Sequence, residues 1–367
     1  MDKKKLSAGA VLTALIWAVL TVLMWFGPSR DISETERRPL AQMPVVSAKA
    51  LLDGSFMEDF EAYTLDQFPL RDSIRMLKSL FHFYGLNQSD NNDIYLARGH
   101  AVKQEYPLKE DSLAHAVRRF DHLYSKYLAD SGSAVYMAVV PDKGYYLAQD
   151  SGHLAMDYEK LMKTLEECLP WANFISLTES LTAEDYYRTD IHWRQEGLLA
   201  AAQTLCEALG VTAPEWEDYT LTALDRPFYG VYYGQAALPM EPDTMYLLES
   251  DLLENCRVYD YESGTYSQIY NRDKLDSRDL YDVFLSGSRS LLTIENPAAG
   301  TDRELIVFRD SFGSSMVPLL LADYAKVTLV DIRYIQIDLL GRYLTFSGQD
   351  VLLLYSTSVL NNSQTIK

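Results

Sequence analysis

The order of apolar and polar positions divides the chain into three stretches of different character. Residues 6–27 (LSAGAVLTALIWAVLTVLMWFG) contain no charge, whereas residues 29–44 are charged and rich in turn formers. Two helices are then predicted, over about 55–66 and 70–84. Phe56, Phe60 and Tyr63 recur at the spacing of one helical face, and Pro69 separates the two. From residue 94 short apolar runs alternate with amphipathic ones. Strands are predicted at 94–96, 134–140 (AVYMAVV, stopping at Pro141), 172–176, 305–308 (LIVF), 327–330 and 351–355 (VLLLY). Helices are predicted at 108–130, 158–169, 195–209 and 312–324. In the helix at 195–209, Leu198, Ala202, Leu205 and Leu209 share one face. Strands alternating with helices indicate an α/β fold whose mostly parallel sheet is covered on both faces. Residues 219–299 lack that rhythm, are rich in Tyr, Asp and Gly, and read as an insertion with hairpins. The expected organisation is a basic end and span (1–28), a helical stalk (29–90), and an α/β domain (91–360) carrying the insertion.

The uncharged run is long enough to cross a bilayer as a helix. Lys3, Lys4 and Lys5 precede it. By the positive-inside tendency, the rest of the chain is expected outside the cytoplasm. A cleaved signal peptide is the alternative, but its apolar core is normally shorter and ends at a small-x-small site, which WFGPSR does not offer. The expected location is therefore the cell membrane, single-pass, with the body extracytoplasmic. ATP- and nicotinamide-dependent chemistry is disfavoured there, and no cofactor is expected.

Composition narrows the function further. The 367 residues carry 33 basic and 52 acidic side chains, a net charge of −19, which repels phosphate backbones and argues against nucleic-acid binding. Cys168, Cys206 and Cys256 are scattered and odd in number, so neither a disulfide framework nor a structural zinc site is indicated.

Two short segments carry candidate chemistry. In Thr189-Asp190-Ile191-His192-Trp193 the carboxylate stands two residues before one of only six histidines. In an extended segment the two side chains would share a side. Asp190 could then fix the tautomer of His192 and leave its other nitrogen as a base. Trp193 could wall the ring from water. The plainer alternative is a helix cap beside a loop histidine. In Phe308-Arg309-Asp310-Ser311-Phe312-Gly313, Ser311 follows an apolar strand and precedes a helix. That is where sites form in open α/β sheets. N–H groups at the helix start, with Gly313 allowing close approach, would suit an oxyanion. An ordinary cap is again the alternative. Together the segments supply a nucleophile, a base and an orienting group.

These same residues resemble the DHHW family of bacterial cell-surface proteins. More distantly, the chain is similar to the alginate O-acetylation proteins with an SGNH-hydrolase-like fold. The resemblance rests on RTDIHWRQEG (188–197) and VFRDSFGSSMVPLL (307–320). It is supported by SETERRPLAQMP (33–44), DGSFMEDFEAYTLDQFPLRD (53–72), VVPDK (139–143), FYGVYYGQAAL (228–238) and YDVFLSG (281–287). Ile191 departs from the family's Asp-His-His-Trp motif by replacing its first His. The alginate-type proteins also keep Asp-x-His-Trp.

The resemblance implies a triad of Ser311 (nucleophile), His192 (base) and Asp190 (orienter). It implies transfer or hydrolysis of O-acyl groups on a cell-surface polysaccharide, with a multi-spanning membrane acyltransferase as a partner. Lys143 matches a Pro-x-Lys pattern of the wider group. Arg309, Tyr233, Trp193, Phe312 and Gly313 are further pocket or oxyanion candidates, and Asp310 is expected to hold its turn. No metal is expected. A non-catalytic glycan-binding protein on this scaffold and a metal-dependent hydrolase using Asp190 and His192 remain the alternatives.

Overall fold

Short runs of Val, Leu and Ile that are buried on both sides have only one stable outcome, a sheet sandwiched between layers of helix. The computed structural model describes residues 3–367. The first two residues and the side chains through Ser7, and with them the basic start of the span, lie outside the description. The main sheet has eight strands. In chain order they are β1 (Val135–Val140), β2 (Asn173–Ser176), β3 (Arg257–Asp260), β4 (Thr265–Ser267), β5 (Leu291–Glu295), β6 (Glu304–Arg309), β7 (Lys326–Val330) and β8 (Asp350–Ser356). Across the sheet the order is β4-β3-β5-β7-β6-β8-β1-β2. The five strands from β7 to β2 are parallel, while β4, β3 and β5 extend the sheet antiparallel.

Alternation along each strand divides the core in two. Leu305, Val307, Leu352 and Leu354 face one side, where the helix Leu199–Leu209 and residues 316–321 cover them. Ile306, Phe308, Leu353 and Tyr355 face the other, against the helices Glu110–Leu123 and Tyr158–Cys168. Every parallel strand predicted from sequence is present within one or two residues of its expected bounds. Two helices are shorter than expected. Residues 195–209 begin as a 3-10 turn, Gln195–Gly197, before the helix. After β6 only Gly313–Met316 is α-helical, and Pro318 carries the chain into the 3-10 turn Val317–Leu320. The Tyr-rich middle of the chain is not all insertion, because β3, β4 and β5 lie within it and complete the sheet. It also contains a long hairpin, Thr220–Phe228 with Asp243–Glu249.

The chain forms two compact units. The larger comprises Asn92–Tyr232 with Met240–Lys367, and the smaller holds the chain up to Asn91 together with Tyr233–Pro239. The smaller unit contains one helix long and apolar enough to cross a membrane, Ala8–Phe26. It also contains the helices Ala48–Asp53, Ser55–Asp66 and Arg71–Leu80. Segment 233–239 is fixed to them by polar contacts. Ser79 Oγ and Asn91 Nδ2 donate to the Ala236 carbonyl at 2.6 and 3.1 Å, and Arg75 donates to the Gly234 carbonyl at 2.9 Å. Gly234 is obligatory, since a Cβ there would stand 1.7 Å from the Thr35 carbonyl oxygen.

Leu353 lies at the centre of β8 with no exposed surface. Leu353→Ala is expected to lower the unfolding free energy by about 2–5 kcal/mol, read as a fall in the urea midpoint with unchanged slope.

Candidate active site

Ser311 stands two residues beyond β6, at the carboxyl end of the parallel strands. Its turn is held by Asp310, a fully buried carboxylate. Asp310 Oδ1 accepts the Phe312 N–H at 3.0 Å and Oδ2 accepts the N–H of Ser356, the last residue of β8, at 2.8 Å. The chain therefore bends sharply beside β8 and leaves the Ser311 hydroxyl partly exposed. His192 Nε2 lies 2.8 Å from Ser311 Oγ, and His192 Nδ1 lies 2.6 Å from Asp190 Oδ2. Asp190 is buried, and His192 nearly so.

The Asp190–His192 contact does not come from an extended strand, as the spacing suggested. Residues 188–192 form a loop of bends, in which Asp190 Oδ2 also accepts the His192 backbone N–H at 3.2 Å. A carboxylate bonded to the N–H two residues on is an Asx-type turn, and it brings the ring back onto the same oxygen. Asp190 Oδ1 accepts the Val231 N–H at 2.7 Å. Gly230 makes this approach possible, because a Cβ there would sit 2.2 Å from Asp190 Cβ.

A second carboxylate fixes the loop. Asp243, at the start of a hairpin strand, accepts the N–H groups of Arg188 and Thr189, both at 2.9 Å, and the Thr189 hydroxyl at 2.6 Å. Thr189 Oγ1 in turn accepts the Gly230 N–H at 2.9 Å. Sequence reasoning missed Asp243. It stands beside Glu241 in a stretch without periodicity, so nothing local distinguishes it.

The aromatic wall also differs from expectation. Tyr281, not Trp193, covers the imidazole, stacked at 3.9 Å between centroids and nearly parallel, while Phe312 lies at 5.1 Å. Trp193 is buried behind them, donating through Nε1 to Ser315 Oγ at 2.8 Å and meeting Phe312 edge to face. Ser315 Oγ is also 2.7 Å from the Tyr281 hydroxyl, so one serine joins both rings. The stretch YDVFLSG held the signal for Tyr281, but nothing in it paired that ring with His192. Ile191, in place of the family's first His, packs against the core.

Several expected pocket residues do other work. The Phe312 N–H is taken by Asp310, and the Gly313 N–H donates to the Asp310 carbonyl at 3.2 Å, so the free oxyanion donors expected there are occupied. Gly313 instead allows the turn to lie on the Arg309 stem, which a Cβ would meet at 2.8 Å. Arg309 is fully buried, and its guanidinium donates to the Asp310 carbonyl at 3.2 Å. Lys143 is not a solvated loop residue. It opens the helix Lys143–Leu147, is buried, and donates from Nζ to the carbonyls of Tyr187 and Arg188 at 2.9 and 3.3 Å. It thus steadies the loop leading into Asp190. Tyr233 belongs to the smaller unit, so it is not grouped with the other candidates. Among the described residues, no group of three or more His, Cys, Asp or Glu is placed to hold a metal ion.

Comparison with known proteins gives these residues a context. Residues 149–330 match the family model described as DHHW protein. That segment, just under half of the chain, carries the DHHW likeness. It contains Asp190, His192 and Ser311. The fold is similar to that of a DHHW family protein from Eubacterium siraeum, at 22% identity and a TM-score of 0.62, covering 76% of this chain and 95% of that one. It is also similar to Bacillus cereus PatB1, at 19% identity and a TM-score of 0.61, covering 73% and 96%. A structure of PatB1 with a sulfonyl adduct aligns at 18% identity and a TM-score of 0.59, covering 73% and 95%. At these identities the likeness is one of fold. No curated protein sequence matches the chain.

Burial draws the Lys143 ammonium down to about 7 from an ordinary 10.5, against the opposing pull of Asp190, Asp243 and Asp142. The unfolded chain keeps this proton up to the ordinary value, and the folded chain releases it near 7. Between those values the unfolded state binds more protons, so this group makes stability rise with pH across that window. In Lys143→Met the stability–pH curve above pH 7 is expected to be flatter than in the parent, measured by urea unfolding at stepped pH.

Proposed function

We propose that the protein is a membrane-anchored, extracytoplasmic serine O-acyltransferase or esterase that moves acetyl groups on a cell-surface polysaccharide. The observation that carries this reading is the continuous hydrogen-bonded series from Asp190 through His192 to Ser311, at 2.6 and 2.8 Å, beside the carboxyl ends of the parallel strands. The Ala8–Phe26 helix supports the anchor.

The chemistry follows from the atoms. Asp190 accepts the Nδ1 proton and leaves Nε2 as the base facing Ser311 Oγ. His192 takes the hydroxyl proton as Oγ attacks an ester carbonyl. The Ser311 N–H is the backbone donor assigned to the resulting oxyanion, since those of Phe312 and Gly313 are taken up by Asp310. Collapse returns the proton to the departing oxygen and leaves an acyl–Ser311 ester. A second hydroxyl then attacks with the same base. Water makes the protein an esterase, and a sugar hydroxyl makes it a transferase. In the transferase case the acyl group must be supplied across the membrane, the task of a multi-spanning acyltransferase partner. Tyr281 stacked on the imidazole limits water at the base and holds the ring in plane.

The test uses detergent-solubilised full-length protein with an activated acetyl ester and, because PatB1 has been captured with a sulfonyl adduct, an aryl sulfonyl fluoride. Intact mass is expected to show one covalent adduct on the parent and none on Ser311→Ala. Adduct formation on both, or on neither when both are folded, overturns the reading. Asp190→Asn is expected to keep the fold and slow turnover by on the order of 10⁴-fold, as loss of the orienting carboxylate does in Ser–His–Asp enzymes.

A further inference from the structure

The helix Arg71–Leu80 and the turn Phe81–Gly85 in the smaller unit are amphipathic in the opposite sense from an ordinary surface helix. The inward face is polar. Arg71 pairs with Glu36, Arg75 with Glu36 at 3.2 Å and with the Gly234 carbonyl at 2.9 Å, and Ser79 with the Ala236 carbonyl at 2.6 Å. The outward face is apolar. Leu70, Ile74, Leu77, Phe81 and Tyr84 recur at steps of four and three, form a single stripe, and are each between 44% and 76% exposed. At 1.5 Å per residue the stripe is about 21 Å long. A helix facing only water would present the reverse pattern, and exposed apolar stripes of this extent mark an interaction surface.

We propose that this stripe lies in the outer interface of the membrane, so that the protein holds the bilayer by a span and by a second, in-plane helix. The proposal rests on the anchor reading above. Three observations favour lipid as the occupant. The apolar span belongs to the same compact unit. Its outer end packs on this unit's helices, with Trp25 and Phe60 at 6.3 Å and Phe60 in a row with Phe56 and Tyr63. Finally, the flanks of the stripe, Lys78 on one side and Ser73 and Leu80 on the other, carry no acid, and Arg71 is taken up by Glu36 on the inward face. A second copy docked along the stripe would lack the opposite charges that pair helices in a coiled coil. An apolar face with a lysine at its edge suits an in-plane helix at the headgroups. Aromatic Phe81 and Tyr84 suit the same depth.

The test uses full-length protein in vesicles of phosphatidylcholine and phosphatidylglycerol. Cys168 is exposed and is first replaced by Ser, while Cys206 and Cys256 are buried. A nitroxide is then placed singly at Leu77→Cys, at Leu15→Cys in the span, and at Glu159→Cys on an exposed helix face of the larger unit. Collision rates with oxygen, which partitions into lipid, and with a water-soluble nickel chelate are compared. The expected result is a Leu77 ratio that matches Leu15 and departs from Glu159 toward oxygen. A Leu77 label open to nickel, with Leu15 favouring oxygen, overturns the proposal and leaves the anchor intact. A Leu77 label shielded from both reagents also overturns it, in favour of a protein partner or a second copy. Labels at Leu15 and Leu77 that are both open to nickel show instead that the anchor reading has failed.

Discussion

Everything at the candidate site depends on one buried carboxylate. Asp190 has no exposed surface, and such a group is tolerable in the interior only if its charge is met by donors. Two backbone N–H groups and the His192 ring provide them. Each of those donors is available only because something else is fixed. His192 is aimed by the turn that Asp190 itself nucleates. Val231 is within reach because Gly230 has no Cβ. The loop between them is clamped by Asp243, and Lys143 steadies its entry. The geometry is therefore cooperative, and removing one support releases several others.

Carboxylates recur as the fasteners of this edge of the sheet. Asp142 caps the turn after β1, accepting from Gly144 N, Tyr158 and Thr357 at 2.7 Å each. Asp310 fixes the turn after β6 and Asp243 the loop before His192. Each accepts several N–H or O–H groups that a turn would otherwise leave bare in the interior. The adjoining aromatic rings, Tyr281, Phe312 and Trp193, meet through Ser315 and ring contacts. The imidazole thus has a polar side facing Ser311 and an apolar wall behind it.

Much of this was legible in the sequence, and the limits have physical causes. The parallel strands were readable because strands buried on both faces must be almost wholly apolar, as LIVF and VLLLY are. The pairing of Asp190 with His192 was readable because it is local, and Ser311 because a strand-to-helix turn places a side chain at the sheet edge. Asp243 and Tyr281 were not, since each reaches the site by tertiary folding from a region whose spacing carries no period. The oxyanion donors expected at Phe312 and Gly313 failed for a related reason. Asp310 was expected to hold its turn, and in doing so it occupies the N–H groups that the helix start had offered.

The allocation of Tyr233–Pro239 to the smaller unit has a consequence for the connectivity of the chain. The backbone passes between the two units three times, after Asn91, after Tyr232 and after Pro239. Three connections of the backbone, and not one tether, therefore link the units in sequence. One of those connections leaves the larger unit two residues beyond Gly230, the glycine against which Asp190 rests. For the same reason the smaller unit cannot be trimmed away at its apparent end. Cutting at residue 91 would strand a seven-residue loop whose carbonyls at Gly234 and Ala236 have lost their donors, whereas cutting just after Phe26 keeps those donors.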